Sequence, residues 1–465
     1  MSSSTMSAVT ERPFSWRFTT PLYFGSTLNP INSALIATAL VPIAHGVGVP
    51  IGETAALVSA LYVATAIAQP TAGKAADVFG PRRVFLTGLV IVLLGGLVGG
   101  FAPNLATLLV SRVMLGLGTS CAYPSAMLLI RRRAQVAGLD APPGNVLGRL
   151  QIAGIATASL GLPIGGLLVQ LFSWRAVFFI NVPVAIIALI PALLWVPKDG
   201  PITNRRPRQV CSALDATGIV GFAAGMVTLL LFLSSLPDPR WLYLILSIAV
   251  WIVLVWWERR AATPFLDVRL LAANMALSRT YLRFALTQLC AYTVLYGITQ
   301  WLEATRGLSE LSAGLLLLPM TVISGLVVAA VSRRNLIRPT QILSATCCIV
   351  AGVATLFLGG PAWLALTVVV VVMLGVSQGC GTTSNTMALY TQAPAEQLGT
   401  ASGLLRSSGY LGSIASSAVI GIVFHEHPSN AGVGSIGWIM LGTSVLLLTI
   451  VLADRTLPWR AESQS

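Results

Sequence analysis

The chain has 465 residues, of which 55% are hydrophobic and only 9% are charged, and its 28 Lys and Arg outnumber 15 Asp and Glu to give a net charge of +13. A soluble domain is about 25% charged, so this composition excludes a soluble protein and requires apolar surface that faces lipid. The basic residues are scattered between apolar segments rather than gathered on one face, which excludes a nucleic-acid-binding protein.

Fourteen apolar segments are long enough to cross a bilayer, because a spanning helix needs about 20 largely apolar residues. The segments are continuously apolar rather than alternating, which excludes a β-barrel, and helices then satisfy every backbone hydrogen bond in lipid. The sequence therefore predicts an all-α polytopic membrane protein embedded in the lipid bilayer. The predicted spans are 22–44, 54–72, 84–101, 105–129, 150–171, 176–196, 215–235, 240–257, 280–302, 311–331, 340–358, 363–388, 398–424 and 434–453.

The positive charge falls on alternate loops. If the N-terminus is inside, 22 of the 28 basic residues lie in cytoplasmic segments, three lie outside and three lie within spans. The outer three are Arg175, Arg240 and Arg306, and those within spans are Arg112, Arg283 and Arg406. Lys and Arg are retained on the cytoplasmic side during insertion, and one missed span would destroy this asymmetry. We therefore expect a multi-pass protein of the plasma (inner) membrane with both termini cytoplasmic.

The N-terminal tail lacks the features of a signal peptide, so we expect the first span to direct insertion.

The sequence lacks the motifs of several other classes of membrane protein. No phosphate-binding loop, no clustered His, Asp and Glu, no nucleophile elbow, no channel filter repeat and no segment long enough for a soluble domain occurs. The six cysteines show no metal spacing and no disulfide framework. We interpret the pair Cys347 and Cys348 as two small residues that face lipid or a neighbouring helix. These observations predict no enzyme activity, no metal and no cofactor.

A motif follows the second span, where residues 73–83 read GKAADVFGPRR. Two glycines permit a tight turn, the aspartate offers a carboxylate to a neighbouring helix N-terminus or to an arginine, and the arginines anchor the cytoplasmic face. Basic residues alone would indicate an ordinary cytoplasmic loop, but charge bias does not produce this spacing of glycine and aspartate. The candidate motif residues are Gly73, Asp77, Gly80, Arg82 and Arg83.

The fourth span carries Arg112, followed by Gly116 and Gly118. An arginine within a span is costly and is usually functional, whereas the glycines allow close helix contact. An arginine that extends to the membrane surface is the alternative interpretation.

The fifth span contains SLGLPIGGLLVQ, and FSWRAVFFINVPVAI follows it. A glycine-rich face for helix packing explains the first segment equally well. The candidate residues here are Gly161, Pro163, Gly165 and Gly166.

These motifs resemble those of the major facilitator superfamily. Residues 73–83 resemble its signature loop G-x-x-x-D-x-x-G-R-R/K, with Pro81 in the place of the first basic residue, and the fourth span resembles its R-x-x-x-G-x-G motif. The resemblance implies that the loop acts as a latch between two halves of the fold, and that Arg112 takes part in coupling.

The fifth span and the segment after it are similar to the 14-helix drug:proton antiporters of this superfamily, which carry G-P-x-x-G-G and W-R-x-x-F-x-I-N-V-P. Leu162 replaces the expected proline, which appears one place later. The resemblance implies a major facilitator fold with two six-helix bundles and two extra central spans. It divides the chain into a cytoplasmic tail (1–21), an N-terminal bundle (22–197), a connector with two additional spans (198–258), a C-terminal bundle (259–454) and a second tail (455–465).

A titratable group in the transport pathway is not obvious. Members of the resembled family commonly have an aspartate in the first span, where this chain has Asn29 and Asn32, and none of its 15 acidic residues lies at mid-depth. Glu303, at the outer edge of the ninth span, is the best candidate for proton coupling together with Arg112, although pairing with Arg306 would explain it as well. Arg406 lies near the bilayer centre without an acidic partner in its span, which favours either an anionic substrate or a site of polar partners.

The resemblance thus implies a secondary active transporter that exports a small amphipathic or drug-like compound in exchange for protons. A uniporter or exporter of an organic anion is the alternative, supported by the acid-poor spans and Arg406. We expect a small-molecule substrate, no nucleic acid and a monomer. The predicted substrate-binding residues are Asn29, Asn32, Tyr292, Gln378, Asn385 and Arg406.

Overall fold

The computed structural model describes residues 13–36, 39–49, 51–139, 141–200, 214–235, 239–308, 310–394, 397–424 and 428–460. Within these ranges the regular structure is helical, and one isolated antiparallel bridge joins Leu336 to Arg460. The prediction of an all-α protein is therefore confirmed.

Nine helices are described before residue 200. They are α1 (Trp16–Leu35), α2 (Leu40–Val47), α3 (Ile51–Phe79), α4 (Pro81–Gly100), α5 (Leu105–Ser120), α6 (Ala122–Val136), α7 (Gly144–Leu171), α8 (Ala176–Phe179) and α9 (Asn181–Trp195). Local sequence explains their ends. Gly80 has a φ of +100°, which favours glycine, and Pro81 then occupies the first position of α4, where its missing N–H is not needed. Asn104 caps α5 by accepting a hydrogen bond from the Thr107 N–H at 3.0 Å.

Nine further helices are described after residue 213. They are α10 (Ala216–Ser234), α11 (Trp241–Glu258), α12 (Val268–Ala273), α13 (Met275–Arg306), α14 (Glu310–Arg334), α15 (Arg338–Leu356), α16 (Trp363–Gln392), α17 (Leu398–Val423) and α18 (Asn430–Ala453). Asn274 caps α13 and Ser429 caps α18 through side-chain oxygens. Gly307 ends α13 in the left-handed conformation, the usual place for glycine after a helix.

The chain forms two compact units. The first unit runs to Ile219 and includes Ala393–Leu404, and the second unit comprises Val220–Gln392 and the described residues from Leu405 onward. The boundary between the two units at residue 219 falls inside α10, and the bundle boundaries at 197 and 259 remain a prediction. The first two turns of α17 therefore belong to the first unit.

Ten helical segments among the described residues are long and apolar enough to cross a membrane. Every one of the 14 predicted spans overlaps at least one helix, and the count of 14 crossings remains a prediction. Helix α11 presents apolar side chains over most of its surface, including Ile245, Ile252 and Val253, each more than 60% exposed. Such a surface is suited to lipid.

Two segments predicted as cytoplasmic loops are partly helical. Helix α3 continues to Phe79, and helix α6 continues to Val136 through the three arginines at 131–133. Alanine, arginine and glutamine are good helix formers, and long basic side chains can leave the apolar layer at a helix end. A drop in hydropathy therefore does not end these helices.

Two of the three arginines assigned to the outside have specific partners. In the first unit Arg175 lies 4.2 Å from the ring centre of Trp174 and donates to the Ala102 carbonyl. In the second unit Arg306 lies between the rings of Trp301 and Trp363, at 5.0 and 5.3 Å. Cation–π contacts of this kind stabilise a guanidinium at a membrane edge, so both arginines have a structural role.

Candidate functional site

Arg112 is the central residue of a buried polar network in the first unit. It lies on α5 with 1% of its surface exposed. Its Nε donates to the Leu57 carbonyl on α3 at 3.0 Å, and its two terminal nitrogens donate to the Asn32 carbonyl on α1 at 3.3 and 3.4 Å. Arg112 therefore joins three helices through backbone oxygens and does not extend to the membrane surface.

The glycines after Arg112 bring the helices close enough for this arrangement. A Cβ on Gly116 would lie 2.7 Å from the Ala64 Cβ on α3, and a Cβ on Gly118 would lie 2.7 Å from the Gly88 carbonyl on α4. Small residues at such positions let helix backbones approach. The R-x-x-x-G-x-G pattern thus combines a buried cation with the close packing that supplies its carbonyl partners.

Asn29 and Asn32 extend the network along α1. The Asn29 amide donates to the hydroxyls of Thr65 and Thr119, at 3.3 and 3.0 Å. The Asn32 amide donates to its own helix and, at 2.6 Å, to the Asn181 side-chain oxygen on α9. The first unit therefore gives both predicted asparagines polar partners on neighbouring helices, and Asn32 contacts Arg112 through its carbonyl.

No described carboxylate neutralises Arg112. Three ion pairs occur among the described side chains, Arg132–Asp199, Arg279–Asp454 and Arg283–Asp454, and none involves it. The side chain of Glu303, the predicted coupling carboxylate, lies outside the described residues, although its backbone belongs to the last turns of α13. Arg112 is thus stabilised in the described part of the network by carbonyl dipoles.

Asp77 lies at the N-terminus of a helix, one of the two partners its sequence context suggested. Its carboxylate accepts hydrogen bonds from the N–H groups of Gly399 and Thr400, at 3.1 and 3.0 Å, and from the Thr400 hydroxyl at 2.8 Å. Gly399 and Thr400 lie in the first turn of α17, where the N–H groups have no partner within the helix. A negative charge there also interacts favourably with the helix dipole.

The two motif glycines have different roles, which corrects the prediction that both form a turn. Gly73 lies within α3, and a Cβ on it would lie only 2.1 Å from the Gly399 carbonyl oxygen. Gly73 therefore permits the close contact that brings Asp77 to α17, and only Gly80 forms the turn. The extension of α3 explains the difference, because a helical glycine is useful where a backbone approaches it.

The motif arginines are held near the start of α4. Arg82 donates to the Leu193 carbonyl at 2.9 Å, and Arg83 donates to the Phe79 and Gly200 carbonyls at 2.9 and 2.8 Å. The Asp199 carboxylate accepts from the Arg83 N–H at 2.9 Å. A second helix N-terminus in the first unit is thus capped by an aspartate.

The glycine-rich segment of α7 forms a continuous helix. Gly161 packs against α1, where a Cβ on it would lie 2.3 Å from the Ala34 Cβ, whereas a Cβ on Gly166 would meet no atom within 4 Å. Gly165 is buried, and the side chain of Pro163 lies outside the described residues. Gly161 therefore has a packing role, and Gly166 faces open space within the first unit.

The predicted residues of the second unit lie on three helices. Tyr292 and Tyr296 contact each other on α13, with ring centres 5.6 Å apart and ring planes tilted by 38°. On α16, Asn385 is fully buried, with its amide donating to the Gly381 carbonyl at 2.8 Å and its side-chain oxygen unpartnered. Gln378 lies two turns earlier with an unpartnered oxygen. Two acceptors on one face of α16 are therefore available to a hydrogen-bond donor.

Arg406 is the ninth residue of α17 and is half-buried. It belongs to the second unit, whereas the turn of α17 that binds Asp77 belongs to the first.

The sequence reasoning missed a buried ion pair in the second unit. Asp454 and Arg283 are both fully buried, and their side chains meet at 2.6 Å, while Arg279 reaches the same carboxylate at 3.0 Å. Although burial opposes ionisation, hydrogen bonds from Thr456 and Arg283 hold the pKa of Asp454 below its ordinary value. The available signal was the arginine within the ninth span, which requires a counter-charge from elsewhere.

Comparisons with known proteins agree with this architecture. The sequence profile described as Major Facilitator Superfamily matches residues 22–417. An uncharacterized MFS-type transporter of Bacillus subtilis, YwoD, is 32% identical over 94% of this chain and 96% of its own length. The tetracenomycin C resistance and export protein of Streptomyces glaucescens is 28% identical, over 86% of this chain and 74% of its own length.

A solved structure supports the fold. The proton:xylose symporter XylE covers 94% of this chain and 95% of its own, with 15% identity and a TM-score of 0.65. The predictions of a major facilitator fold and of a membrane transporter rather than an enzyme are confirmed. The chain belongs to the Major Facilitator Superfamily.

Proposed function

We propose that this transporter exports a small amphipathic or drug-like compound in exchange for protons, by alternating access of its two six-helix bundles. The observation that carries the proposal is the polar network around Arg112, a fully buried cation whose three hydrogen bonds within the described part of the chain all go to backbone carbonyls. Such a cation within a span is expensive to maintain, and function is the usual reason for its presence.

The sequence relatives support export. The protein of Streptomyces glaucescens is named for resistance to, and export of, tetracenomycin C, and the fifth span with the segment after it resembles the motifs of drug:proton antiporters. In this proposal Asn29 and Asn32 contribute to the substrate-binding surface of the first bundle, and Tyr292, Gln378, Asn385 and Arg406 to that of the second. Adjacent tyrosine rings and amide oxygens suit a compound with an aromatic body and hydrogen-bond donors.

Proton coupling is assigned to Glu303 and Arg112. A guanidinium bound only to carbonyls keeps its full positive charge, so its hydrogen bonds respond to the protonation of any acid that approaches it. Glu303 is the acidic residue that we assign to the outer end of the pathway. Asp454 is unsuited to this task, because two arginines and Thr456 stabilise its ionised form.

Within this proposal, the uneven distribution of basic residues between alternate segments supports a topology with both termini on the cytoplasmic side. With 22 basic residues in alternate segments and three in the others, both termini are cytoplasmic in the plasma (inner) membrane. The segments 215–235 and 240–257 are then the two additional spans between the bundles. We take the monomer as the functional form.

Export of an organic anion without proton exchange is the second candidate. It is favoured by two of the three arginines predicted within spans, Arg112 and Arg406, and by the absence of a carboxylate paired with Arg112 among the described side chains. An anionic group would neutralise such a site directly.

Transport into proteoliposomes with an imposed pH gradient distinguishes the two candidates. Purified protein is tested with cationic, neutral and anionic compounds while an entrapped dye reports internal pH. We expect cationic or neutral amphipathic compounds to drive proton flux, and Glu303→Gln to abolish that flux. Glu310→Gln, which removes a carboxylate at the start of the next helix, is the matched control and should transport normally.

The second candidate predicts the opposite set of results. Only anions would move, no proton flux would accompany them, and Arg406→Ala would abolish their movement while Arg406→Lys would retain part of it. That outcome would overturn the antiport proposal.

A further inference from the structure

The last described segment of the chain, residues 454–460, pairs with residues 333–338 between α14 and α15. The Ile337 N–H donates to the Trp459 carbonyl at 3.1 Å, and the next N–H along the chain donates to the Pro458 carbonyl at 3.2 Å. The isolated antiparallel bridge of the second unit lies beside these bonds. We call the two paired segments together the strap.

Buried contacts hold the C-terminal segment of the strap in place. Leu457 is 2% exposed and belongs to an apolar cluster that also contains Ile337 and Leu447. Asp454 is fully buried and forms the ion pair with Arg283. The backbone of the strap is therefore fixed from its inner side, and its other side chains are presented outward from a defined position.

The outward side chains of the strap are basic. Its arginines are Arg333, Arg334, Arg338, Arg455 and Arg460. Arg338 is half-buried and donates to the Leu452 carbonyl at 3.4 Å, and the other four are exposed. Among the described side chains none of the five forms an ion pair, whereas Asp454, the one acidic residue of the strap, is paired with arginines of α13. The strap therefore presents positive charge that no acidic residue of its own offsets.

Trp459 adds an exposed aromatic ring to the same surface. Its side chain is 65% exposed, although its carbonyl is fixed by Ile337. Tryptophan is enriched at the headgroup level of membranes, because its ring is both apolar and polar. Leu452, in the last turn of α18, is apolar and exposed as well. The exposed apolar surface of α18 thus leads directly to an exposed tryptophan and to arginines, which is the order of hydrocarbon and headgroups in a bilayer.

We propose that the strap binds the headgroups of anionic phospholipids in the cytoplasmic leaflet. Guanidinium groups can bind phosphate through two parallel hydrogen bonds, and basic residues next to a span attract anionic lipids. An acidic protein would also match the charge, but Trp459 and the adjoining apolar surface of α18 favour a lipid. The choice of leaflet rests on the proposed function, because it uses the cytoplasmic location of the C-terminus.

Lipid binding to the purified full-length protein tests the proposal independently of substrate, proton coupling and topology. Protein in detergent is mixed with phosphatidylglycerol, or with phosphatidylcholine that carries the same acyl chains, and the retained lipid is counted by native mass spectrometry. We expect the wild type to retain phosphatidylglycerol at concentrations about tenfold lower than phosphatidylcholine, and to unfold at a higher temperature once the lipid is bound. Arg334→Gln with Arg460→Gln should lose this preference.

A matched variant separates the strap from positive charge elsewhere. Arg259→Gln with Arg260→Gln also removes two exposed arginines of the second unit, and it should keep the preference. Unfolding temperatures of the lipid-free proteins verify that both double variants are folded. Equal retention of the two lipids by the wild type, or equal losses in the two double variants, would overturn the proposal. Retention of polyglutamate in place of phosphatidylglycerol would also overturn it and would assign the surface to an acidic protein.

Discussion

The two units stabilise their buried charges in different ways. In the first unit the buried Arg112 binds backbone carbonyls, and the carboxylate of Asp77 binds helix N–H groups. In the second unit Arg283 binds a carboxylate, that of Asp454, at 2.6 Å. The opposite charges of an ion pair offset each other, whereas a charge that binds only backbone dipoles is not offset by an opposite charge. Within the proposed mechanism, Arg283 has a structural role and the charge of Arg112 is available for transport.

The largest effect is expected where the ion pair is broken. Asp454→Asn leaves Arg283 buried without a counter-charge, and removal of one partner of a buried pair costs about 3–5 kcal/mol. We expect a large fall in the unfolding temperature of the detergent-solubilised protein. Arg283→Met combined with Asp454→Leu should restore most of the loss, because a hydrophobic pair of similar volume can replace a buried ion pair. A double variant as unstable as Asp454→Asn would contradict the structural role.

Arg112→Lys tests the arrangement in the first unit, where a buried charge binds backbone carbonyls. An ammonium group retains the charge but cannot donate to the Leu57 and Asn32 carbonyls with the geometry of a guanidinium. Loss of a charged hydrogen bond is worth about 1.5–3 kcal/mol, and 1.4 kcal/mol corresponds to a factor of about ten in rate. We expect transport to fall about tenfold or more, with a smaller loss of stability than for Asp454→Asn. Arg333→Lys, at an exposed position, is the control and should behave like wild type.

Gly73→Ala tests whether the close approach of α3 to the Gly399 backbone stabilises the first unit. The new methyl group would overlap the Gly399 carbonyl, and overpacking costs about 1–3 kcal/mol. Gly166→Ala is the matched control, because its methyl group meets no atom within 4 Å and alanine favours helix by about 1 kcal/mol. We expect opposite shifts in unfolding temperature, and equal shifts would show that the close approach at Gly73 is unimportant.

The smallest effect is expected at the capped helix. Asp77→Ala removes the acceptor of three hydrogen bonds at the start of α17, and loss of a helix cap costs about 0.5–2 kcal/mol. Thr400→Val removes only the hydroxyl donor and should cost less. Unfolding temperatures of both variants give the comparison. A larger loss for Thr400→Val would mean that the hydroxyl, and not the cap, stabilises this contact.

Hydrophobicity and charge predicted most of the fold. Long apolar segments have to become helices in lipid, so each of the 14 predicted spans overlaps a helix. The ends were less predictable, because the arginines at 131–133 are both polar and good helix formers. The glycines of residues 73–83 were recognised, but the role of Gly73 depends on Gly399, a residue more than 300 positions away.

The sequence predicted those candidate residues that are polar within their own apolar span. Arg112, Asn29 and Asn32 were identified because a polar group in an apolar helix requires partners. The Arg283–Asp454 pair was not, because its members are 171 positions apart and Asp454 follows its apolar segment, where an acid is unremarkable in sequence. Long-range partners of this kind become visible only in the folded chain.

Trp301 provides the chain with an internal fluorophore at one end of the second unit. Its indole is fully buried, donates to the Asn430 side-chain oxygen at 2.9 Å and lies beside the Arg306 guanidinium. Indole emission shifts to longer wavelength when water reaches the ring. The difference between the emission spectra of the wild type and Trp301→Phe therefore isolates the emission of Trp301. A shift of that emission to longer wavelength would report that water has reached this end of α13, without any attached label.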